Sequence, residues 1–136
     1  MRIKSLHNNF IMPTKGTDGA GAFDIYMPED GETGELVGLG FSAEVPKNHV
    51  ALILPRSSAG VKQGIELRNT CGVIDSDYRG EWKAAVQTKS GDLFCWNAGD
   101  RLLQFLIVPV ADVQLELVDE LDETARGSGG FGSSGK

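Results

Sequence analysis

Leu102-Leu103-Gln104-Phe105-Leu106-Ile107-Val108-Pro109-Val110 is the stretch on which the fold turns. All but Gln104 are apolar. A short continuous apolar run of this kind, bounded by turn residues, predicts a strand buried on both faces. Val50-Ala51-Leu52-Ile53-Leu54, between His49 and Pro55, is a second run of the same type. Trp82 to Thr88 predicts a third strand after the Arg79-Gly80 turn. Val113-Gln114-Leu115-Glu116-Leu117 alternates and predicts a half-exposed strand. Turn signals fall at Glu29-Asp30-Gly31, Gly38-Leu39-Gly40, Pro46-Lys47-Asn48 and Ser90-Gly91-Asp92. No long amphipathic helical stretch interrupts them. One short helix is expected after Pro55, from Ser58 to Gln63, with Gly64 as its stop. Short strands between regularly spaced turns predict an all-β sandwich or barrel. There is no internal repeat.

The chain has 136 residues, 40% of them hydrophobic, which suits one domain with a real core. A formal net charge of −6 argues against a general nucleic-acid binder, which would show a basic face. A polyanionic ligand would then be met by a local cluster, not by overall steering. Asp112, Glu116, Asp119, Glu120, Asp122 and Glu123 form an acidic run without Lys or Arg, read as a solvated face. No apolar run reaches membrane-spanning length, and the first residues do not form a signal peptide, so the expected location is cytoplasmic. Cys71 and Cys95 lack metal-ligand or redox spacing and are expected as reduced thiols packed like small hydrophobes. His7 and His49 have no partner pattern.

The last eleven residues, Arg126-Gly127-Ser128-Gly129-Gly130-Phe131-Gly132-Ser133-Ser134-Gly135-Lys136, cannot build a core. They nevertheless carry an arginine suited to bidentate phosphate recognition, a phenylalanine that can stack on a base, and serines and glycine amides that can cradle anionic oxygens. The reading is a mobile lid for a nucleotide polyphosphate; a plain disordered end is the bland alternative. Arg56-Ser57-Ser58, at the start of the expected helix, has the donors of an anion site. Gly72 to Gly80 brackets Val73-Ile74, two acids and a tyrosine, and reads as a β-hairpin with polar groups at its tip. Asp75 and Asp77 are two residues apart, so on a strand they share a face, and either a metal site or a solvated turn would use such a pair.

Phe23-Asp24-Ile25, Pro55-Arg56-Ser57-Ser58, Asn69 to Glu81, Ala98 to Gln104 and the tail together resemble, in order, the five motifs of the trimeric dUTP pyrophosphatases, or dUTPases. The resemblance runs from about Asp18 to the C-terminus. It implies a distorted jelly-roll-like β-barrel subunit with one short helix, spanning residues 1–125. Residues 126–136 would be a flexible arm closing over the site. It implies a homotrimer with shared sites: the hairpin from one chain, the Arg-Ser and Gln motifs from a second, the arm from a third. The implied reaction is dUTP and water to dUMP and pyrophosphate, which limits uracil in DNA and supplies dUMP for thymidylate synthesis. Mg²⁺ is the implied cofactor, held by triphosphate oxygens and waters with no direct protein ligand.

Residue roles come with the resemblance. Asp75 is the carboxylate that takes the proton of the attacking water; Asp77 is structural. Backbone groups of Val73 and Ile74, helped by the Asn69 amide, read uracil. The Tyr78 ring lies against the deoxyribose and excludes a 2′-hydroxyl. Lys83 lines the nucleotide pocket. Arg56, Ser57, Ser58 and Gln104 contact phosphates, and Asp24 orients Arg56 or a metal-bound water. Asp100 and Arg101 are read as an ion pair at a strand entrance. In the arm, Arg126 holds the γ-phosphate, Phe131 stacks on uracil, and Ser133 and Ser134 bond phosphates. The chain departs from the family pattern at Ala22 and Ser58, where glycine is usual. The alternatives are a dCTP deaminase of the same fold and a regulatory binding protein with protein partners.

Overall fold

The computed structural model describes residues 1–130. Eleven strands and one helix follow one another: β1 (Ile3–Ser5), β2 (Phe23–Ile25), β3 (Gly31–Glu32), β4 (Leu36–Gly38), β5 (Phe41–Ala43), β6 (His49–Pro55), α1 (Ser57–Gln63), β7 (Ile65–Leu67), β8 (Gly72–Ile74), β9 (Lys83–Thr88), β10 (Cys95–Trp96) and β11 (Leu103–Pro109). The two apolar runs and the Trp82–Thr88 segment became the three longest strands. The helix begins one residue earlier than its sequence signals suggest. It stops where expected, because Gly64 takes a left-handed φ of 67° and its N–H donates to the Ala59 carbonyl.

All strand pairs among the described residues are antiparallel. The largest sheet runs β2-β11-β6-β8, and a second runs β4-β9-β7. β1-β5 and β10-β3 form two further two-stranded pairs. The architecture is all-β with one short helix, and among the described residues these sheets do not close into a barrel. The core lies between them. Trp82, Phe41 and Phe105 sit at its centre, with Trp82 edge-on to Phe105 at a centroid distance of 5.1 Å. Such pairs add about 0.5–1.5 kcal/mol beyond their buried area.

Four expectations need correction. Leu103 and Phe105 of β11 are buried, but Gln104, Leu106 and Val108 on its other face are only half-buried. Their register partners Leu54, Leu52 and Val50 on β6 are half-buried too. A sheet that is apolar on both faces therefore has one face in the chain's own core and an outer face still partly open. Val113–Leu117 is not a strand: its alternation has no partner edge here, and Leu115 and Leu117 are 97% and 100% exposed. Gly72–Gly80 is not a two-stranded hairpin. β8 pairs with β6, and after a turn at Ser76-Asp77 the chain crosses to β9 in the other sheet. Both cysteines are free, but Cys95 is exposed on the short strand β10 and not packed as a small hydrophobe. The acidic run is solvated throughout, as its charges require.

Candidate active site

β6 carries a group of chemically capable residues at each end. At its C-terminal end the chain turns directly into α1, and Arg56 sits at the junction with φ −68° and ψ 150°. Its backbone N–H donates to the Leu102 carbonyl at 2.8 Å. Its Nε donates to Asp24 Oδ1 at 2.8 Å and its Nη1 to the Arg101 carbonyl at 3.1 Å. The neighbouring strands supply these partners by register. Asp24 on β2 lies opposite Gln104 on β11, and Gln104 opposite Leu54 on β6. Gln104 Nε2 donates to the Pro55 carbonyl at 3.1 Å, and among the described residues its amide oxygen accepts no hydrogen bond. Asp24, Arg56, Ser57 and Gln104 line one cavity with Ala22 and Leu106. A fixed guanidinium, a hydroxyl and an amide in one open cavity make an anion-binding surface. Ser58 is exposed on α1 and lies outside that lining.

Asp100 and Arg101 do not pair with each other. Asp100 Oδ2 accepts from the Asn97 N–H at 2.8 Å, closing its own turn. Arg101 Nη1 reaches across to Asp24 Oδ2 at 3.2 Å. Adjacent residues entering a strand point to opposite sides, so the sequence neighbour was the wrong partner.

At the other end of β6, Ile74 pairs with Ala51, which brings Asp75 beside Val50. Asp75 is exposed and lines a separate cavity with Val73, Ser76, Asp77, His49 and Val50. Among the described residues no ion pair or side-chain hydrogen bond engages its carboxylate. The turn that presents it is held through its backbone. Tyr78 N–H donates to the Asp75 carbonyl at 3.2 Å. Arg79 Nη1 donates to the Ser76 carbonyl at 2.8 Å and to the Tyr78 carbonyl at 3.1 Å. Arg79 in turn lies 4.0 Å from Glu44, which Arg2 chelates through its Nε and Nη2. The Tyr78 hydroxyl donates to the Glu81 carbonyl at 3.0 Å, laying the ring over Gly80, where a Cβ would collide with it. Gly72 is tight in a lesser degree: a Cβ there would stand 3.0 Å from Ile53 Cβ on β6.

The remaining candidates are scattered over the chain. Asn69 is exposed in the turn after β7, next to Thr70, whose φ is 67°. Val73 is exposed and Ile74 half-buried on the edge strand β8. Lys83 is exposed on β9, opposite Gly38 in the second sheet. Arg126 is exposed, and its Nε donates to the Gly129 carbonyl at 2.8 Å. Phe131, Ser133 and Ser134 lie outside the described residues. The fold thus brings Asp24, Arg56, Ser57 and Gln104 together and keeps Asp75 and Tyr78 apart from them. Val50 to Arg56 spans six strand steps, so about 20 Å separates the two groups. Sequence reading missed Arg79 as a clamp on the Asp75 turn, although its place next to Tyr78 was visible. It also missed Arg101 as the second partner of Asp24, which no local signal marks.

Among the described residues no three His, Cys, Asp or Glu side chains cluster to hold a metal ion. No helix there is long and apolar enough to cross a membrane.

The family described as dUTPase matches residues 8–135. A deoxyuridine 5'-triphosphate nucleotidohydrolase of Psychrobacter sp. (strain PRwf-1) is 41% identical over 94% of this chain and 88% of its own length. One from Nautilia profundicola is 39% identical over 100% of this chain and 99% of its own. Among solved structures, the dUTPase of Staphylococcus bacteriophage 80alpha with dUpNHpp superposes with a TM-score of 0.87 at 22% identity, covering 99% and 98% of the two chains. The dUTPase of phage phi11 of S. aureus, described with a structural Mg(II) ion, superposes with a TM-score of 0.78 at 20% identity over 88% and 96%. On the length of these matches and their identity, the chain belongs to the dUTPase family.

Proposed function

We propose that the protein hydrolyses dUTP to dUMP and pyrophosphate, at sites shared between copies of the chain in a homotrimer. The family gives the substrate. The observation that carries the sharing is the separation along β6. A base for a water attacking the α-phosphorus and a guanidinium on the same triphosphate must lie within a few ångströms of one ligand. One chain holds them about 20 Å apart. A complete site then takes Asp75 from one copy and Arg56, Ser57 and Gln104 from another. The half-buried outer face of Val50, Leu52, Leu54, Leu106 and Val108 supports assembly, as does the exposed apolar series at Val113, Leu115 and Leu117.

In this site Asp75 accepts the proton of the water that attacks in line with the leaving pyrophosphate. Its carboxylate has no protein partner among the described residues, which keeps both oxygens available. Backbone groups of Val73 and Ile74 with the Asn69 amide read uracil and leave cytosine's swapped donor and acceptor unpaired. Tyr78, fixed over Gly80, lies where a 2′-hydroxyl would go, and Lys83 borders the nucleotide. Arg56, Ser57 and Gln104 take the phosphates, with Ser58 at the helix start beside them. Asp24 has both oxygens on guanidinium groups, so it orients Arg56 and leaves Mg²⁺ to the triphosphate and waters, where the ion would neutralise phosphate charge. Residues 1–125 form the body. Residues 126–136, with Arg126, Phe131, Ser133 and Ser134, close over the nucleotide from a third copy. The cytoplasm, where dUTP and dUMP are exchanged, is the place for this reaction.

Two measurements test the reading. Pyrophosphate release with Mg²⁺ is expected from dUTP and not from UTP, dTTP or dCTP; ammonia from dCTP would replace the reading with a deaminase. Mixing two inactive variants, Asp75→Asn and Arg56→Ala, after co-refolding should restore activity, because some sites then receive both intact groups. Mixtures as inactive as their components would show that each chain builds its own site.

A further inference from the structure

We propose that Arg101 is a positioning residue of the phosphate cavity: it shares Asp24 with Arg56 and so leaves the cavity with one uncompensated positive charge. The proposal rests on reading that cavity as the triphosphate site. The Asp24 side chain is only 10% exposed, and its two oxygens are divided between two guanidinium groups. Arg56 Nε takes Oδ1 at 2.8 Å and Arg101 Nη1 takes Oδ2 at 3.2 Å. Both guanidiniums are permanently charged, so two positive charges face one negative charge. A carboxylate available to a single arginine closes a two-bond fork with it and cancels it. Here Arg56 gives Asp24 only its Nε and gives Nη1 to a carbonyl. Its Nη2 has no protein acceptor among the described residues and is left for a ligand.

Arg101 acts at one remove, since it lies outside the cavity lining while Asp24 and Arg56 lie within it. It is braced where it stands. Its guanidinium lies 5.7 Å from the centre of the Tyr26 ring, and the Tyr26 hydroxyl is 2.8 Å from Thr14 Oγ1. Thr14 is bridged through its backbone to Asp24 in both directions, at 2.7 and 3.3 Å. The ring, the threonine and the carboxylate thus form one closed support. Without Arg101, Asp24 would turn its second oxygen to Arg56, and the cavity would present a neutral pair to a polyanion.

The test is titration of the full-length protein with inorganic triphosphate, by calorimetry at several NaCl concentrations, alongside steady-state dUTP hydrolysis. Arg101→Gln should weaken triphosphate binding about tenfold and flatten the dependence of log affinity on log salt by about one charge. KM for dUTP should rise by a similar factor while kcat changes little. Arg101→Lys, which keeps the charge, should retain the salt slope and most of the affinity. It decides the matter if Arg101→Gln does not fold, since a lysine variant as weak as a neutral cavity would overturn the charge argument. Unchanged triphosphate affinity and slope in Arg101→Gln would overturn it as well, as would a wild-type protein that does not bind inorganic triphosphate. Triphosphate binding that responds as expected in a protein inactive on dUTP would instead sink the substrate reading and leave this one standing.

Discussion

The two ends of β6 are built on opposite plans. At the Arg56 end the functional side chains are themselves tied down, by a partly buried carboxylate, by carbonyls of β6 and the β11 entrance, and by register across three strands. At the Asp75 end the carboxylate is free and exposed, and it is the backbone around it that is tied down, by Arg79 and by the Tyr78 ring on Gly80. A group that binds a charge gains from being held still, since ordering it beforehand removes that cost from binding. A group that must take a proton needs open lone pairs, because a strong partner would hold it in its charged form and lower its basicity. Position is therefore fixed through side chains at one end and through the main chain at the other.

Substitutions at the two ends should separate stability from activity in different ways. Asp75→Asn should give the largest catalytic loss, about 10²–10⁴ in kcat, with dUTP affinity and Tm nearly unchanged. A marked fall in Tm would mean that the carboxylate has a structural partner, and the contrast would collapse. Asp24→Asn should lose less activity, about tenfold to a hundredfold in kcat/KM. It should also cost about 1–3 kcal/mol of stability, because two guanidinium groups lose their counter-charge. Unfolding in urea measures this, and a wild-type midpoint would show that Asp24 supports nothing. Arg79→Ala should be mildest, a loss of about threefold to tenfold in kcat/KM with less than about 1 kcal/mol of stability, since its bonds are exposed and to carbonyls. Its signature is a raised UTP/dUTP ratio as Tyr78 loosens. An unchanged ratio would assign Arg79 to the surface alone.

The legible parts of this molecule were those whose cause is local. The apolar runs at Val50–Leu54 and Leu102–Val110 became β6 and β11, and Gly64 stopped the helix, because burial and a left-handed cap act within a few residues. What failed depended on partners far along the chain. Val113–Leu117 has the pattern of a strand, but a pattern supplies no neighbouring edge. Gly72–Gly80 has the look of a hairpin, but β8 found β6, twenty-odd residues upstream. Arg101 is adjacent to Asp100 and bonds Asp24, 77 positions away. The residues of the site were named from motif resemblance. The resemblance also implied that the two groups come from different copies; that they sit at opposite ends of one strand followed from register.

The last strand among the described residues is also an inner one. β11 lies between β2 and β6, so β2 cannot join the β6-β8 pair until β11 has been made. During synthesis β2, and the edge of β6 that β8 does not cover, must wait for a strand some fifty to eighty positions later. Such long-range closure slows folding and leaves the incomplete chain open to misassociation. The same order has a useful side. Asp24, Arg56 and Gln104 converge only when β11 docks, so a chain cut short by premature termination cannot present a half-made phosphate site.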